Sequence, residues 1–225
     1  MFWIYFAAII ILPLYAQFKV KSTYNKYSRV RSTSGMTGAE VARLILDKNG
    51  LHDVRVVETQ GFLSDHYNPM TKIVALSPHN YREASVAGTA VAAHEVGHAI
   101  QDKEAYSFLR FRHRLAPAAS ITSNASWIFI MIGLFTSNTF LGIGILLLAV
   151  GVLFQLVTLP VEFNASTRAM NQIVELNVIR NEEEPDAKKV LNAAAMTYVA
   201  AAAVAVLELV RLLLIFTGRN NSEEQ

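Results

Sequence analysis

Residues 90–101 read AVAAHEVGHAIQ and contain the motif His94-Glu95-Val96-Gly97-His98. Two histidines four positions apart on a helix share one face at a spacing of about 6 Å, so both imidazoles can reach one metal ion. Glu95 projects roughly 100° round the helix from His94. From there its carboxylate can take a proton from a water that the metal activates. We therefore expect a helix at 83–103 that carries a zinc site suited to amide hydrolysis.

The composition agrees with this interpretation. The chain has 225 residues, 6 histidines and no cysteine. The lack of cysteine excludes disulfides, thiolate zinc sites and iron–sulfur clusters, whereas a His-Glu site needs no thiolate. A net charge of +2 gives no indication of nucleic-acid binding. The alternative is a helix with two unrelated histidines and an unrelated glutamate.

A catalytic zinc site needs a third protein ligand. The metzincin pattern would place a glycine at 101 and a histidine at 104, where this chain has Gln101 and Glu104. We predict Glu162 on a second helix instead. Small side chains would share its face and allow close approach to the histidine helix: Ala165, Ser166 and Ala169. The alternative is that Glu162 only stabilises a helix N-terminus after Pro160.

The charged residues are few and unevenly distributed. They make up 17% of the chain, against about 25% in soluble domains. Residues 115–161 carry no charge. One membrane crossing needs about 20 residues, so this segment is more than twice as long as one crossing requires. This excludes a purely soluble protein. We expect a hairpin of two transmembrane helices at 118–135 and 139–159, which Pro117 and Pro160 bracket.

Two further spans are predicted, which brings the total to four. Residues 2–18 are uncharged and precede a basic run, and residues 192–216 are rich in alanine. The latter segment contains Glu208 and Arg211, which we expect to pair with each other at a spacing of three. All but two of the 20 Lys and Arg residues lie in 19–117 and 160–191. The positive-inside bias places both of these regions in the cytoplasm.

The polar region 32–114 has the pattern of a small α+β module. Thr37 and Glu40 form a capping-box pattern ahead of a helix that Asn49-Gly50 ends. Strands are expected at 54–58 and 72–76, with a loop at 59–71 between them.

Four segments of the chain resemble the YugP-like neutral zinc metallopeptidases, a family of bacterial membrane proteins: 34–43 (SGMTGAEVAR), 65–69 (DHYNP), 90–101 and 162–169 (EFNASTRA). The resemblance covers nearly the whole chain. It implies His94, His98 and Glu162 as ligands of one zinc ion per chain, and Glu95 as the general base. It also implies a single membrane-embedded domain over 1–225 in the bacterial inner membrane.

The same segments are more distantly similar to HtpX-type proteases and CAAX prenyl proteases. That similarity implies a mainly α membrane protein with a small α+β zincin-like core of the gluzincin type. It also implies that the strand at 72–76 forms a sheet edge for an extended substrate, the alternative being a covered strand. The HtpX-type pattern has an aspartate four residues after the ligand glutamate, where this chain has Ser166. Because serine braces an imidazole weakly, we expect the brace to come from elsewhere.

A peptidase also needs a group that stabilises the oxyanion. His66 and Tyr67 in the loop between the strands, and Arg168 on the helix of Glu162, are the candidates. The alternatives are a turn-stabilising cluster for the first two and an ordinary interfacial arginine for the third.

The sequence therefore predicts a membrane-bound zinc endopeptidase whose active site faces the cytoplasm. Its partners would be the lipid bilayer and a protein or peptide substrate, with a homo-oligomer left open. One alternative is a zinc-stabilised membrane scaffold without catalysis, against which an intact Glu95 argues. Another is an intramembrane protease of the site-2 type. The polar ends of the motif helix and the lack of aspartate in the spans oppose it.

Overall fold

The computed structural model describes residues 2–223, which are mainly helical with one small sheet. The elements in chain order are α1 Phe2–Tyr27, α2 Gly38–Lys48, β1 Arg55–Glu58, β2 His66–Asn68, β3 Ile73–Leu76, α3 Pro78–Arg82, α4 Val86–Lys103, α5 Ser107–Phe135, α6 Asn138–Glu175 and α7 Glu184–Glu223.

The sheet has the strand order β1-β3-β2. β1 runs parallel to β3, with Val56 opposite Val74, and β2 runs antiparallel to β3, with Tyr67 opposite Val74. Residues 66–68 were expected in a loop, and this is wrong because they form β2. A strand of three residues is too short to show an alternating pattern. β3 lies between the other two strands, so the expectation that it forms a sheet edge is also wrong.

Helix starts follow the capping side chains. The predicted capping box is present, since Thr37 Oγ1 accepts from the Glu40 backbone and Glu40 accepts from the Thr37 backbone. The motif helix α4 begins at Val86 and not at 83, because Ser85 is its N-cap and accepts from Gly88 N at 3.0 Å.

The helices α5, α6 and α7 are long and apolar enough to cross a membrane. The predicted turn between the first two is confirmed, since α5 ends at Phe135 and α6 begins at Asn138. Pro117 and Pro160 lie inside these helices, so the prediction that they bracket the hairpin is wrong. Glu162 also lies in the interior of α6, which rules out the alternative that it caps a helix N-terminus. The predicted span at 2–18 begins among residues whose side chains are not described and stays a prediction.

Two compact units divide the chain. The first comprises the residues up to Tyr15, Arg110–Pro160 and those from Tyr198 onward. An added Cβ at Gly133 would lie 2.2 Å from Leu141 N, so α5 and α6 are in close contact there. Arg211 Nε donates to Glu208 Oε2 at 3.1 Å, which confirms the predicted pairing of these residues.

The second unit comprises Ala16–Leu109 and Val161–Thr197. In its core α4 contacts α2, the strands β2 and β3, and the end of α6. The fully buried apolar side chains of this core include Val41, Ile45, Val74, Val96 and Ile173. They fix α4 against its neighbours, and the face of α4 that they leave carries the histidines.

Candidate metal centre

Close packing of α4 on α6 brings the predicted ligands together. An added Cβ at Gly97 would lie 2.6 Å from the carbonyl oxygen of Ala165, a distance that real Cβ atoms do not tolerate. Ala165 and Ala169 are fully buried. The predicted face of small side chains after Glu162 is therefore present and faces the histidine helix.

The side chains of His94, His98 and Glu162 offer ligand atoms that all lie within 4.8 Å of one another. Glu162 Oε2 is 3.3 Å from His94 Nε2 and 3.6 Å from His98 Nε2. In a tetrahedral zinc site with bonds of about 2.1 Å, neighbouring ligand atoms are about 3.4 Å apart. The side chains of His94, His98 and Glu162 are 13%, 12% and 3% exposed, respectively, so solvent has little access to their ligand atoms.

The position of the proton on the His98 ring is also compatible with a cation between His98 and Glu162. Its Nδ1 lies 3.0 Å from Oε1 of Gln101, and this amide oxygen can only accept a hydrogen bond. Gln101 Nε2 donates to the carbonyl of Val161 at 2.8 Å, which fixes the amide orientation. The proton of a neutral His98 is thus on Nδ1, and the Nε2 lone pair faces the Glu162 carboxylate. A cation between them would turn this repulsion into attraction.

His94 is oriented by the helix that carries Glu162. Ser166 Oγ lies 3.2 Å from His94 Nδ1 and can accept its proton. Ser166 thus contacts His94 itself, whereas the partner of His98 comes from elsewhere, as expected, because it is Gln101. A serine hydroxyl carries no net charge, so it orients the ring without adding the basicity that a carboxylate would give.

Glu95 lies next to the triad in a buried position, 8% exposed. The pKa of Glu95 is raised to about 7, mainly by burial and also by the nearby carboxylates of Glu162 and Asp65, against the opposing effect of His94. A carboxyl group with this pKa can both accept and release a proton near neutral pH.

A chain of hydrogen bonds continues from Gln101 away from the histidines. Asn164 Oδ1 accepts from Gln101 Nε2 at 2.9 Å and from Arg168 Nε at 2.7 Å. Arg168 also forms an ion pair with Glu104 at 2.6 Å, and this hydrogen bond lowers the pKa of Glu104. Gln101 and Asn164 were not predicted as site residues. The spacing of Gln101, three positions after His98 on one helical face, is the signal that could have indicated the first.

The three candidate oxyanion stabilisers lie in different surroundings. His66 is exposed on β2, with Nδ1 2.8 Å from the carbonyl oxygen of Ser64. The Tyr67 hydroxyl donates to Asp102 Oδ2 at 2.8 Å, and burial followed by this bond raises its pKa. Arg168 is engaged by Asn164 and Glu104 as described above. Contact of any of these with a substrate stays a prediction.

Comparison with known proteins agrees with this geometry. Residues 2–217 match the model of a family described as "Putative neutral zinc metallopeptidase". The chain is 49% identical over 213 residues to the "Putative membrane protease YugP" of Bacillus subtilis (strain 168), covering 94% of this chain and 95% of that protein. No solved structure matches the chain. The match over nearly the full length shows that the chain belongs to the neutral zinc metallopeptidase family.

Proposed function

We propose that the chain is a membrane-bound, zinc-dependent endopeptidase that hydrolyses peptide bonds of protein substrates. The observation that carries this proposal is the spacing of His94, His98 and Glu162, which fits a tetrahedral site, beside the buried carboxyl of Glu95. The family description and the name of the Bacillus relative support the same class of reaction.

Each residue of the centre has a distinct part in this reaction. His94, His98 and Glu162 would hold one zinc ion. The ion would act as a Lewis acid on the scissile carbonyl and would lower the pKa of a water in its open position. Glu95 accepts the proton of the attacking water on its carboxylate and then donates it to the amine that leaves. Its pKa of about 7 suits both transfers.

The residues around the centre hold the ligands in place. Gln101 keeps the proton of His98 on Nδ1 and so leaves Nε2 free as a ligand. The Ser166 hydroxyl contacts Nδ1 of His94 and orients its ring. We retain His66, Tyr67 and Arg168 as candidates for the group that stabilises the oxyanion, since each can present a donor to a developing negative charge.

The location we propose is the bacterial cell membrane, with several spans and the metal centre on the cytoplasmic side. Three apolar helices and the name of the relative support membrane association. The distribution of Lys and Arg supports the orientation. We further propose that residues 2–18 form a fourth span, that the soluble part has a gluzincin-type core, and that 1–225 acts as one catalytic domain.

The alternative is a membrane scaffold that zinc stabilises and that has no catalytic activity. A structural site needs ligands but no base, so the buried Glu95 beside the triad favours the enzyme. The two proposals differ in what Glu95 does once zinc is bound.

The test is Glu95→Gln beside His94→Ala in the full chain, purified in detergent. We expect Glu95→Gln to keep one zinc per chain and lose cleavage of an unfolded protein, and His94→Ala to lose both. Glu182→Gln, at an exposed position outside the centre, is the matched control and should behave as wild type. Full cleavage by Glu95→Gln at wild-type zinc content would refute the mechanism.

A further inference from the structure

A cavity separate from the metal centre lies in the same unit, between α1 and the beginning of α7. Its volume is about 550 Å³, within the range of ligand-binding cavities. The basic side chains that line it are Lys19, Lys26 and Lys189.

The ammonium groups of two of these lysines converge on one aromatic ring. The Nζ atom of Lys26 is 5.1 Å from the centroid of the Tyr27 ring, and that of Lys189 is 5.8 Å from the same centroid. Tyr27 is buried, at 4% exposure, so the ring is a fixed platform. Two like charges held beside one ring repel each other. Asp186, which pairs with Lys189 and also attracts Lys26, offsets part of this repulsion, and a further anion bound beside the lysines would relieve the rest.

The charge of the cavity is only partly compensated by the protein. Lys189 pairs with Asp186 at 2.8 Å. No carboxylate is among the described residues that line the cavity, where Ser22, Thr23 and Asn192 supply the uncharged polar groups. Three lysines against one aspartate leave an excess of positive charge. Lysine ammonium groups and hydroxyl donors are suited to phosphate oxygens.

The sequence positions of the lining residues indicate which kind of molecule would supply a phosphate group. Lys19 is the first charged residue after the uncharged start of α1, and Asn192 begins the apolar segment of α7. The remaining wall is apolar and is formed by Ala193 and Met196. A ligand here would meet charge at one end and apolar side chains at the other. An anionic phospholipid has this division between headgroup and acyl chain.

We propose that this cavity binds the phosphate group of an anionic phospholipid, with Lys19, Lys26 and Lys189 around the phosphate and Met196 beside the start of an acyl chain. This binding is independent of the peptidase activity. It would fix to the membrane surface the part of α1 that follows its apolar segment and the part of α7 that precedes its apolar segment.

The experiment measures phosphatidylglycerol retained by the full chain. The protein is reconstituted in nanodiscs of phosphatidylcholine with one fifth phosphatidylglycerol, extracted in mild detergent, and examined by native mass spectrometry. The triple variant Lys19→Gln, Lys26→Gln, Lys189→Gln removes the cavity charges. The matched control is Lys21→Gln, Lys48→Gln, Lys188→Gln, which lowers the net charge equally at exposed lysines outside this cavity.

We expect the cavity variant to retain phosphatidylglycerol at least about tenfold more weakly, and the control to retain it as wild type does. Equal losses in both triple variants would mean diffuse surface attraction and would overturn the proposal, as would retention by the cavity variant. Displacement of the lipid by 10 mM inorganic phosphate would overturn the assignment to a lipid. If the triple variant does not reach the wild-type melting temperature, Lys26→Gln against Lys21→Gln makes the same comparison with one charge each.

Discussion

Gln101 Oε1 accepts the Nδ1 proton of His98 at 3.0 Å. The same amide donates to the Val161 carbonyl at 2.8 Å, so one fully buried side chain joins the histidine helix to the helix of Glu162. The link sets the tautomer of His98, a proposed zinc ligand, and connects the two helices that carry the candidate site.

Replacing Gln101 with leucine should therefore weaken zinc binding by about 10–100-fold, the usual cost of losing the partner of a ligand imidazole. The zinc dissociation constant is measured by competition with a chelator at fixed pH. Gln101→Glu keeps an acceptor for His98 but loses the donor to Val161, so we expect an intermediate loss. A leucine variant with the wild-type dissociation constant would mean that His98 needs no such partner.

A second prediction follows from the close contact of Gly97 with Ala165. A methyl group at 97 would lie 2.6 Å from the Ala165 carbonyl oxygen, so α4 and α6 must move apart. Gly97→Ala should destabilise the protein by about 1–3 kcal/mol and reduce bound zinc, although alanine favours helices. The melting temperature in detergent and the zinc content check this.

The control for this variant is Gly218→Ala. A Cβ at Gly218 would meet no heavy atom within 4 Å, so this substitution should not lower the melting temperature and should leave the zinc content unchanged. Equal behaviour of the two variants would show that helix propensity, and not the distance between α4 and α6, decides the outcome.

Ser166 offers a test of how strongly His94 is held. Ser166→Ala removes the hydroxyl 3.2 Å from Nδ1 and should weaken zinc binding by several-fold, less than the loss expected at Gln101 because the serine is only half-buried whereas Gln101 is fully buried. Ser166→Asp places a carboxylate at the same spacing from Glu162 and should bind zinc more tightly than the alanine variant. Weaker binding by aspartate than by alanine would show that its added negative charge outweighs its contact with the imidazole.

The centre shows which parts of such a site can be predicted from a sequence. His94, Glu95 and His98 follow from helical spacing alone. Glu162 could be predicted because small side chains mark its face. The spacing of Gln101 from His98 could indicate their contact, but its link to α6 could not be predicted, because both of its partners there are remote in sequence and depend on how two helices meet.

The fold was predictable to a similar extent. Long apolar segments and capping residues gave most helices, since both signals are local. The sheet order was not predictable, because β2 has only three residues, too few for an alternating pattern that would indicate a strand and its register. Proline at 117 and 160 predicts helix boundaries, but long apolar helices tolerate it where neighbours satisfy the freed backbone groups, and both prolines lie inside helices here.

The last prediction concerns pH. Glu183, 8% exposed, accepts from Thr33 N at 2.9 Å and from Arg180 N at 3.0 Å, and the Thr33 hydroxyl also donates to it. Burial alone would raise the pKa of Glu183, but these hydrogen bonds, first from Arg180 and then from Thr33, hold it below the ordinary value of 4.5. A lowered pKa in the folded state means that the ionised carboxylate stabilises the fold. This stabilisation is fully present above about pH 4.5 and disappears as the pH falls through the lowered pKa.

We therefore expect the melting temperature of the wild type in detergent to fall on acidification below about pH 4.5. Glu183→Gln should have a lower melting temperature at neutral pH and a smaller fall on acidification, because it lacks the contribution of Glu183. Glu182→Gln removes the same charge at the neighbouring exposed position and should leave both values close to wild type. If the two variants have the same profile of melting temperature against pH, then the hydrogen bonds from Thr33 and Arg180 do not stabilise this carboxylate.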